Sequence, residues 1–167
     1  EAKVLKKNIK NNNELCKKVS YLANKYNDIV FSVSVGNEAR STWNVNRVSD
    51  ERLAFVVKTI QQEIIQPVTF CEEWKYWLTD LPLTAEAVDF ISIHSYPVWN
   101  DVGINNAVAD TNNHFEQVKN AYPKKKIIIT EAGWPTKTDE NKIPIEWATV
   151  SNQHKYFDDI NSWAKEN

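Results

Sequence analysis

The chain has no methionine, not even at position 1. It has only two cysteines, a net charge of just −2 over 167 residues, and no apolar run near the ~18 residues a membrane span needs. Each scarcity removes a class of protein. The near-neutral balance gives neither nucleic acid nor an acidic membrane surface a reason to bind. Cys16 and Cys71 lie 55 positions apart with no CxxC spacing, so neither a disulfide framework nor a zinc site is expected. No HExxH or comparable spacing ties His94, His114 and His154 to carboxylates, and no metal or cofactor is expected. No signal-peptide pattern opens the chain, which begins in charged, helix-like sequence. With the missing initiator methionine, this reads as a piece of a longer protein, its targeting signals lost. Internal repeats and low-complexity segments are absent too.

What is present suits a single domain over residues 1–167, with 42% hydrophobic and 25% charged residues and room for a real core. Seven tryptophans and six tyrosines exceed what a core of this size asks for. Aromatic rings stack on the C–H faces of sugars, which brings carbohydrate into view. Residues 1–26 form an amphipathic helix with Leu15, Val19, Leu22 and Tyr26 on one face. Lys6, Lys7, Lys17 and Lys18 fall largely off that face and read as solvated. A buried strand follows over 29–38, IVFSVSVGNE. Ser49 or Asp50 caps the next helix, which buries Leu53, Val56, Val57, Ile60 and Ile64 and is stopped by Pro67. Then come a strand over 68–71, a loop or short helix over 75–87, and a strand over 88–93. A helix over 106–121, a strand over 126–130 and a helix over 146–165 complete the chain. Alternation of this kind belongs to an α/β protein with a parallel sheet covered by helices.

All four strands end in polar, chemically capable residues: Asn37 and Glu38, Glu72 and Glu73, His94 and Tyr96, and Glu131. Parallel strands point their ends the same way, so these side chains gather at one mouth, where α/β proteins bind ligands. Gly36 is expected to free the backbone to turn and deliver Glu38. Glu38 and Glu131 are 93 positions apart, yet each directly follows an apolar strand. Two carboxylates facing across a cleft are the apparatus of glycoside hydrolysis: one donates a proton to the leaving oxygen, the other attacks the anomeric carbon or activates water. A separation of roughly 5–5.5 Å gives retention and one of roughly 6.5–9.5 Å gives inversion. Which of Glu72 and Glu73 faces inward stays open, because alternation along a short strand is easily misphased.

The segments VSVGNEA (33–39), VDFISIHSYPVW (88–99) and ITEAGWPT (129–136) together closely resemble glycoside hydrolase family 17. This is the family of β-1,3-glucanases and β-1,3-glucanosyltransferases, retaining enzymes on a TIM barrel. The resemblance covers essentially the whole chain. It implies that Glu38 is the general acid/base and Glu131 the nucleophile. It also implies that Asn37 hydrogen-bonds the sugar 2-hydroxyl, that Tyr96 orients Glu131, and that His94 stands beside them in the cleft. Trp99 and Trp134 become candidate subsite walls, with Glu73 and Trp74 lining the cleft. The implied partner is a β-glucan oligo- or polysaccharide, and the implied location is extracellular, cell-surface or periplasmic.

A TIM barrel has eight strands in roughly 250 residues, and only four are legible here. The expected fold is therefore a fragment of a (β/α)8 barrel, about strands four to seven with their helices. It lacks the first three strands and the last, and those missing segments of the parent chain count among its partners. The inner face is expected to be rich in Val and Phe, with an unpaired edge on each side. Two other outcomes stay open: transglycosylation of β-1,3-glucan, and glucan binding without catalysis. A β-1,4 or β-1,6 linkage is a further alternative.

Overall fold

The structure, a computed structural model, describes residues 2–138 and 142–167, with the side chains of 2–10 left out. Lys6 and Lys7 therefore lie outside the described side chains. Helix α1 (Ala2–Lys25) leads into β1 (Val33–Asn37), α2 (Asp50–Gln61) and β2 (Val68–Glu73). The short helices α3 (Trp74–Thr79) and α4 (Pro82–Ala87) precede β3 (Phe90–Ser95). Two 3₁₀ turns, α5 (Ala107–Ala121), β4 (Lys126–Ala132) and α6 (Val150–Glu166) follow. The four strands are all parallel and lie in chain order, β1-β2-β3-β4. Half of an eight-stranded barrel has this arrangement, with its helices on the convex side. Among the described residues no helix is long and apolar enough to cross a membrane.

Local chemistry sets several boundaries. Ser49 caps α2 by accepting the Arg52 N–H, and Thr149 caps α6 by accepting that of Asn152. Helix α2 ends at Gln61, six residues short of Pro67, so the proline is not what stops it. Ile64 is still buried, from the turn beyond the helix. The last three strands each run past their apolar stretch, so Glu73, His94 and Glu131 are ladder residues and not loop residues.

The sheet is irregular at two places. Val33 and Ser34 pair with Val68 and Thr69, but the next partner of β2 is Asn37, opposite Cys71. On β4, Ile129 pairs with Ile93, yet His94 pairs with Glu131, so Thr130 is skipped. Each irregularity inserts an extra residue beside the strand ends that carry the carboxylates.

The convex face holds the main core: Val33, Val68, Phe70, Ile91 and Ile93 pack under Leu53, Val57, Ile60 and Trp77. Trp77 is fully buried, and its indole N–H donates to the Ser92 carbonyl at 3.0 Å. The concave face differs from the expected Val- and Phe-rich surface. Ser34, Thr69, Cys71, Ser92 and His94 alternate onto it beside Phe90 and Ile128, with Thr69 Oγ1 3.0 Å from Ser92 Oγ. Val33, Val68 and Phe70 go instead to the helix side, because one face of each strand has to meet the helices.

Both outer helices keep apolar surface uncovered. Among the described side chains of α1 the buried ones are Ser20 and Ala23, while Leu15 and Leu22, and Tyr26 just beyond the helix, are exposed. On α6 only Tyr156 is buried, and Val150 and Phe157 are exposed. An apolar groove runs beside each edge strand: Leu15, Val19 and Val35 line one, and Trp134, Val150 and Phe157 the other.

Candidate active site

Glu38 follows β1 in the left-handed region, φ 48°, a conformation rare outside glycine. Gly36 does not have positive φ, contrary to the expected turn at that glycine. Its missing side chain serves close approach, because a Cβ there would meet Phe70 Cε2 at 3.2 Å. The strained glutamate is held on both sides of its peptide. Its N–H donates to the Cys71 carbonyl at 2.9 Å, and its carbonyl accepts from Asn44 Nδ2 at 3.2 Å.

The loop beyond Glu38 is clamped by Glu72. This fully buried carboxylate accepts the Arg40 N–H at 2.8 Å, the Ser41 hydroxyl at 2.7 Å and the Glu73 N–H at 2.9 Å. Arg40 also pairs with Asp80 at 2.9 Å. The Thr79 hydroxyl and the Arg40 guanidinium hold Asp80 below the ordinary carboxylate range, against a smaller opposing effect of burial. Between Glu72 and Glu73, then, it is Glu73 that reaches the cleft, where it pairs with Lys75 at 2.8 Å.

His94 sits between the two central carboxylates. Its Nδ1 is 2.8 Å from Glu38 Oε1, and its Nε2 is 3.4 Å from Glu131 Oε1. Tyr96 donates its hydroxyl to Glu131 Oε2 at 2.8 Å. Burial and the Glu131 carboxylate push the Tyr96 hydroxyl well up, so it stays a proton donor. Gly133 gives the ring its place, since a Cβ there would stand 3.2 Å from Tyr96 Cε1. Donor atoms of Glu38, His94 and Glu131 all lie within 4.8 Å of one another, a spacing that could also hold a cation. His114 and His154 are elsewhere. His114 is buried against Trp74 and Ser95, and His154 is exposed on α6.

The carboxylates open into a cleft of about 520 Å³. Trp43, Glu73, Trp74, Tyr96 and Trp99 are among its walls, and Lys75 and Lys142 also line it. Trp74 is held by stacking on His114, with centroids 4.1 Å apart and planes inclined at 13°. Glu38, Glu73, Tyr96, Trp99 and Glu131 thus meet in one place. His94 does not reach the open cleft: it is fully buried and faces the two carboxylates. Asn37 is exposed on the edge of β1 and is not among the lining residues. Trp134 is buried in a second apolar cluster with Val98 and Tyr156, its indole N–H donating to the Trp147 carbonyl at 2.7 Å. Nothing in the sequence marks Trp43 for the cleft. A ring in a polar loop carries no periodic signal, and only its exposure, 65%, marks it as a free platform.

Known proteins share this architecture. The protein named probable glucan endo-1,3-beta-glucosidase in Emericella nidulans is 25% identical over 170 residues, covering 84% of this chain and 36% of its own. An endo-laminarinase from Formosa Hel1_33_131 superposes with a TM-score of 0.80 at 20% identity, over 90% of this chain and 50% of that one. A glycoside hydrolase family 17 β-1,3-glucanosyltransferase from Rhizomucor miehei gives 0.71 at 24% identity, over 82% and 50%. An active-site mutant of the Rhizomucor transferase has been seen in complex with laminaritriose. The chain thus spans about a third of the curated relative and half of each solved structure. Its fold is that of part of a TIM-barrel glycoside hydrolase. The BtgE/BtgC glycoside hydrolase domain matches residues 2–167, and the chain belongs to that family.

Proposed function

We propose that the protein containing this chain cleaves β-1,3-glucan of the laminarin type by a retaining double displacement, as a member of glycoside hydrolase family 17. Glu38 is the general acid/base and Glu131 the nucleophile. The observation that carries this reading is the convergence of both carboxylates on His94, with oxygens of the pair within 4.8 Å of each other. Carboxylates this close support the retaining route, whose carboxyl groups lie roughly 5–5.5 Å apart, with no room for a water between carboxylate and sugar. Tyr96 orients Glu131 for attack, and protonation by Glu38 lets the leaving oxygen depart. Glu38 then removes a proton from the incoming water. Asn37 is assigned to the sugar 2-hydroxyl, and Trp43, Trp74 and Trp99 to the faces of the rings. A polymer of this kind lies outside the cell, so an extracellular or surface location goes with the reading.

The test uses the full-length protein on laminari-oligosaccharides. The expected product has β configuration at the new reducing end. Longer oligosaccharides appearing instead of shorter ones would mean transfer to sugar in place of water. Glu38→Gln and Glu131→Gln should each remove activity by several orders of magnitude while laminaritriose binding remains. Full activity in either variant would sink the assignment.

A further inference from the structure

We propose that His94 stores the proton that Glu38 delivers, so that Glu38, His94 and Glu131 work as one unit with a single proton shared between Glu38 and the imidazole. This rests on the acid/base and nucleophile assignment above and deepens it. His94 is fully buried, with Nδ1 2.8 Å from Glu38 Oε1 and Nε2 3.4 Å from Glu131 Oε1. Nε2 has no hydrogen-bond partner of good geometry. A buried ring in that position has few acceptable protonation states. If only Nδ1 carried hydrogen, the Nε2 lone pair would face the Glu131 carboxylate. If only Nε2 carried hydrogen and Glu38 were ionised, the Nδ1 lone pair would face a carboxylate at 2.8 Å. With Glu131 ionised, as its role as nucleophile requires, two states avoid both clashes. One is an imidazolium between two carboxylates; the other is a neutral ring with Nε2–H toward Glu131 and a protonated Glu38 donating to Nδ1. They differ only in where one proton sits along the Nδ1–Oε1 line.

The groups facing the ring are Glu38 from the end of β1, Cys71 from β2 and Glu131 from β4, and Tyr96 reaches Glu131 from its own strand's end. Burial alone would lower the pKa of His94. The neighbouring Cys71 thiol, the Glu38 hydrogen bond and the charges of Glu131 and Glu38 outweigh it and raise it above the ordinary histidine value. In the first step the pair's proton goes to the glycosidic oxygen, the bond from that oxygen to the anomeric carbon breaks, and a Glu131 oxygen bonds to that carbon. Glu38 is then an ionised carboxylate facing the Nδ1 lone pair, which strengthens it as a base. In the second step it takes a proton from water, the hydroxyl bonds to the anomeric carbon, and the bond to Glu131 breaks. The proton is back on the pair. His94 touches no substrate in this scheme; it is a positioning residue acting through Glu38.

The experiment is the pH profile of kcat/KM for His94→Asn and His94→Gln in the full-length protein on laminari-oligosaccharides. Without the imidazole, Glu38 must hold its proton alone. The alkaline limb should move toward acid by about one unit or more, with the acidic limb moving less. A rate lowered evenly at all pH values, with the alkaline limb in place, overturns the proposal. If the variants do not fold, ¹⁵N-histidine spectra of the wild type decide. Nε2 should carry hydrogen throughout the active range, and Nδ1 should be fully protonated or sharing its proton. A bare Nε2 over that range overturns the proposal. Loss of activity in Glu38→Gln and Glu131→Gln with an unmoved limb sinks this inference alone. Retained activity in those two sinks the reading beneath it.

Discussion

Glu72 and Glu73 are chemically identical neighbours, and the structure gives them opposite consequences. Glu72 is fully buried, with Oε1 accepting from the Ser41 hydroxyl and the Glu73 N–H and Oε2 from the Arg40 N–H. In Glu72→Gln the carbonyl best keeps the two donors at the Oε1 position. The amide NH₂ then faces the Arg40 N–H, donor against donor, at a spacing that was 2.8 Å. One charge-assisted bond is lost and a donor is left poorly satisfied, about 2–4 kcal/mol together. For a domain of this size or larger that lowers Tm by roughly 4–16 °C. The loop it clamps begins at Glu38, so activity should fall with stability. Glu73→Gln breaks a partly exposed pair with Lys75, worth at most about 1 kcal/mol, and should act on KM and hardly on Tm. Thermal unfolding of both variants in the full-length protein, followed by kinetics, separates them. Equal shifts in Tm, or a larger one for Glu73→Gln, would refute the burial and hydrogen bonding assigned to Glu72.

Two further perturbations probe the centre. Gly133→Ala places a Cβ 3.2 Å from the Tyr96 ring, so the ring must shift by a few tenths of an ångström and loosen its bond to Glu131. Tyr96→Phe removes that bond, about 1.5–3 kcal/mol for a bond to a charged group, or roughly a 10–160-fold fall in kcat/KM. Because both act through one contact, the double variant should be little worse than Tyr96→Phe, and full additivity would count against the coupling. The second concerns stability and pH. The folded-state pKa of His94 lies above its ordinary 6.5, so its contribution is fully present below about pH 6.5 and is lost as pH rises through the folded value. The Tm gap between wild type and His94→Asn should be widest near pH ~6 and should narrow in alkali; a gap that widens with pH contradicts the sign.

The strand and helix alternation was readable because each element buries one face. Glu38 and Glu131 were readable because each stands at the end of an apolar strand. What stayed hidden depends on contacts distant in sequence. Strands β2, β3 and β4 run two residues past the ends their apolar stretches predict, since the backbone ladder continues through polar residues that apolar periodicity cannot follow. Trp99 and Trp134 look alike in sequence, each in a loop near a proline. One is exposed in the cleft, and the other is buried because Trp147 and Tyr156 close over it. The stripe of α1 was read correctly as apolar, yet Leu15 and Leu22 are exposed. Periodicity reports the face a helix was built to cover, and the described residues hold only part of that cover.

Both carboxylates proposed as catalytic reach His94 because their strands break their own rules. In regular pairing the residue after Ile129 stands opposite His94, and that residue is Thr130. The skipped residue puts Glu131 there instead. On β1 the extra residue before Asn37 sets Asn37 opposite Cys71, on the concave face. Alternation would then send Glu38 to the helix side. Its left-handed φ cancels that step and returns the side chain to His94 Nδ1. A non-glycine residue held there costs on the order of 1–3 kcal/mol. Glycine at 38 would relieve the strain and remove the carboxylate, so the conformation persists only where surrounding bonds over-determine it. Those bonds come from Cys71, Asn44 and His94, with Glu72 fixing the loop beyond. A skipped residue and a strained φ leave no mark on local composition. The two residues easiest to nominate from the sequence are therefore the two whose placement it conceals most completely.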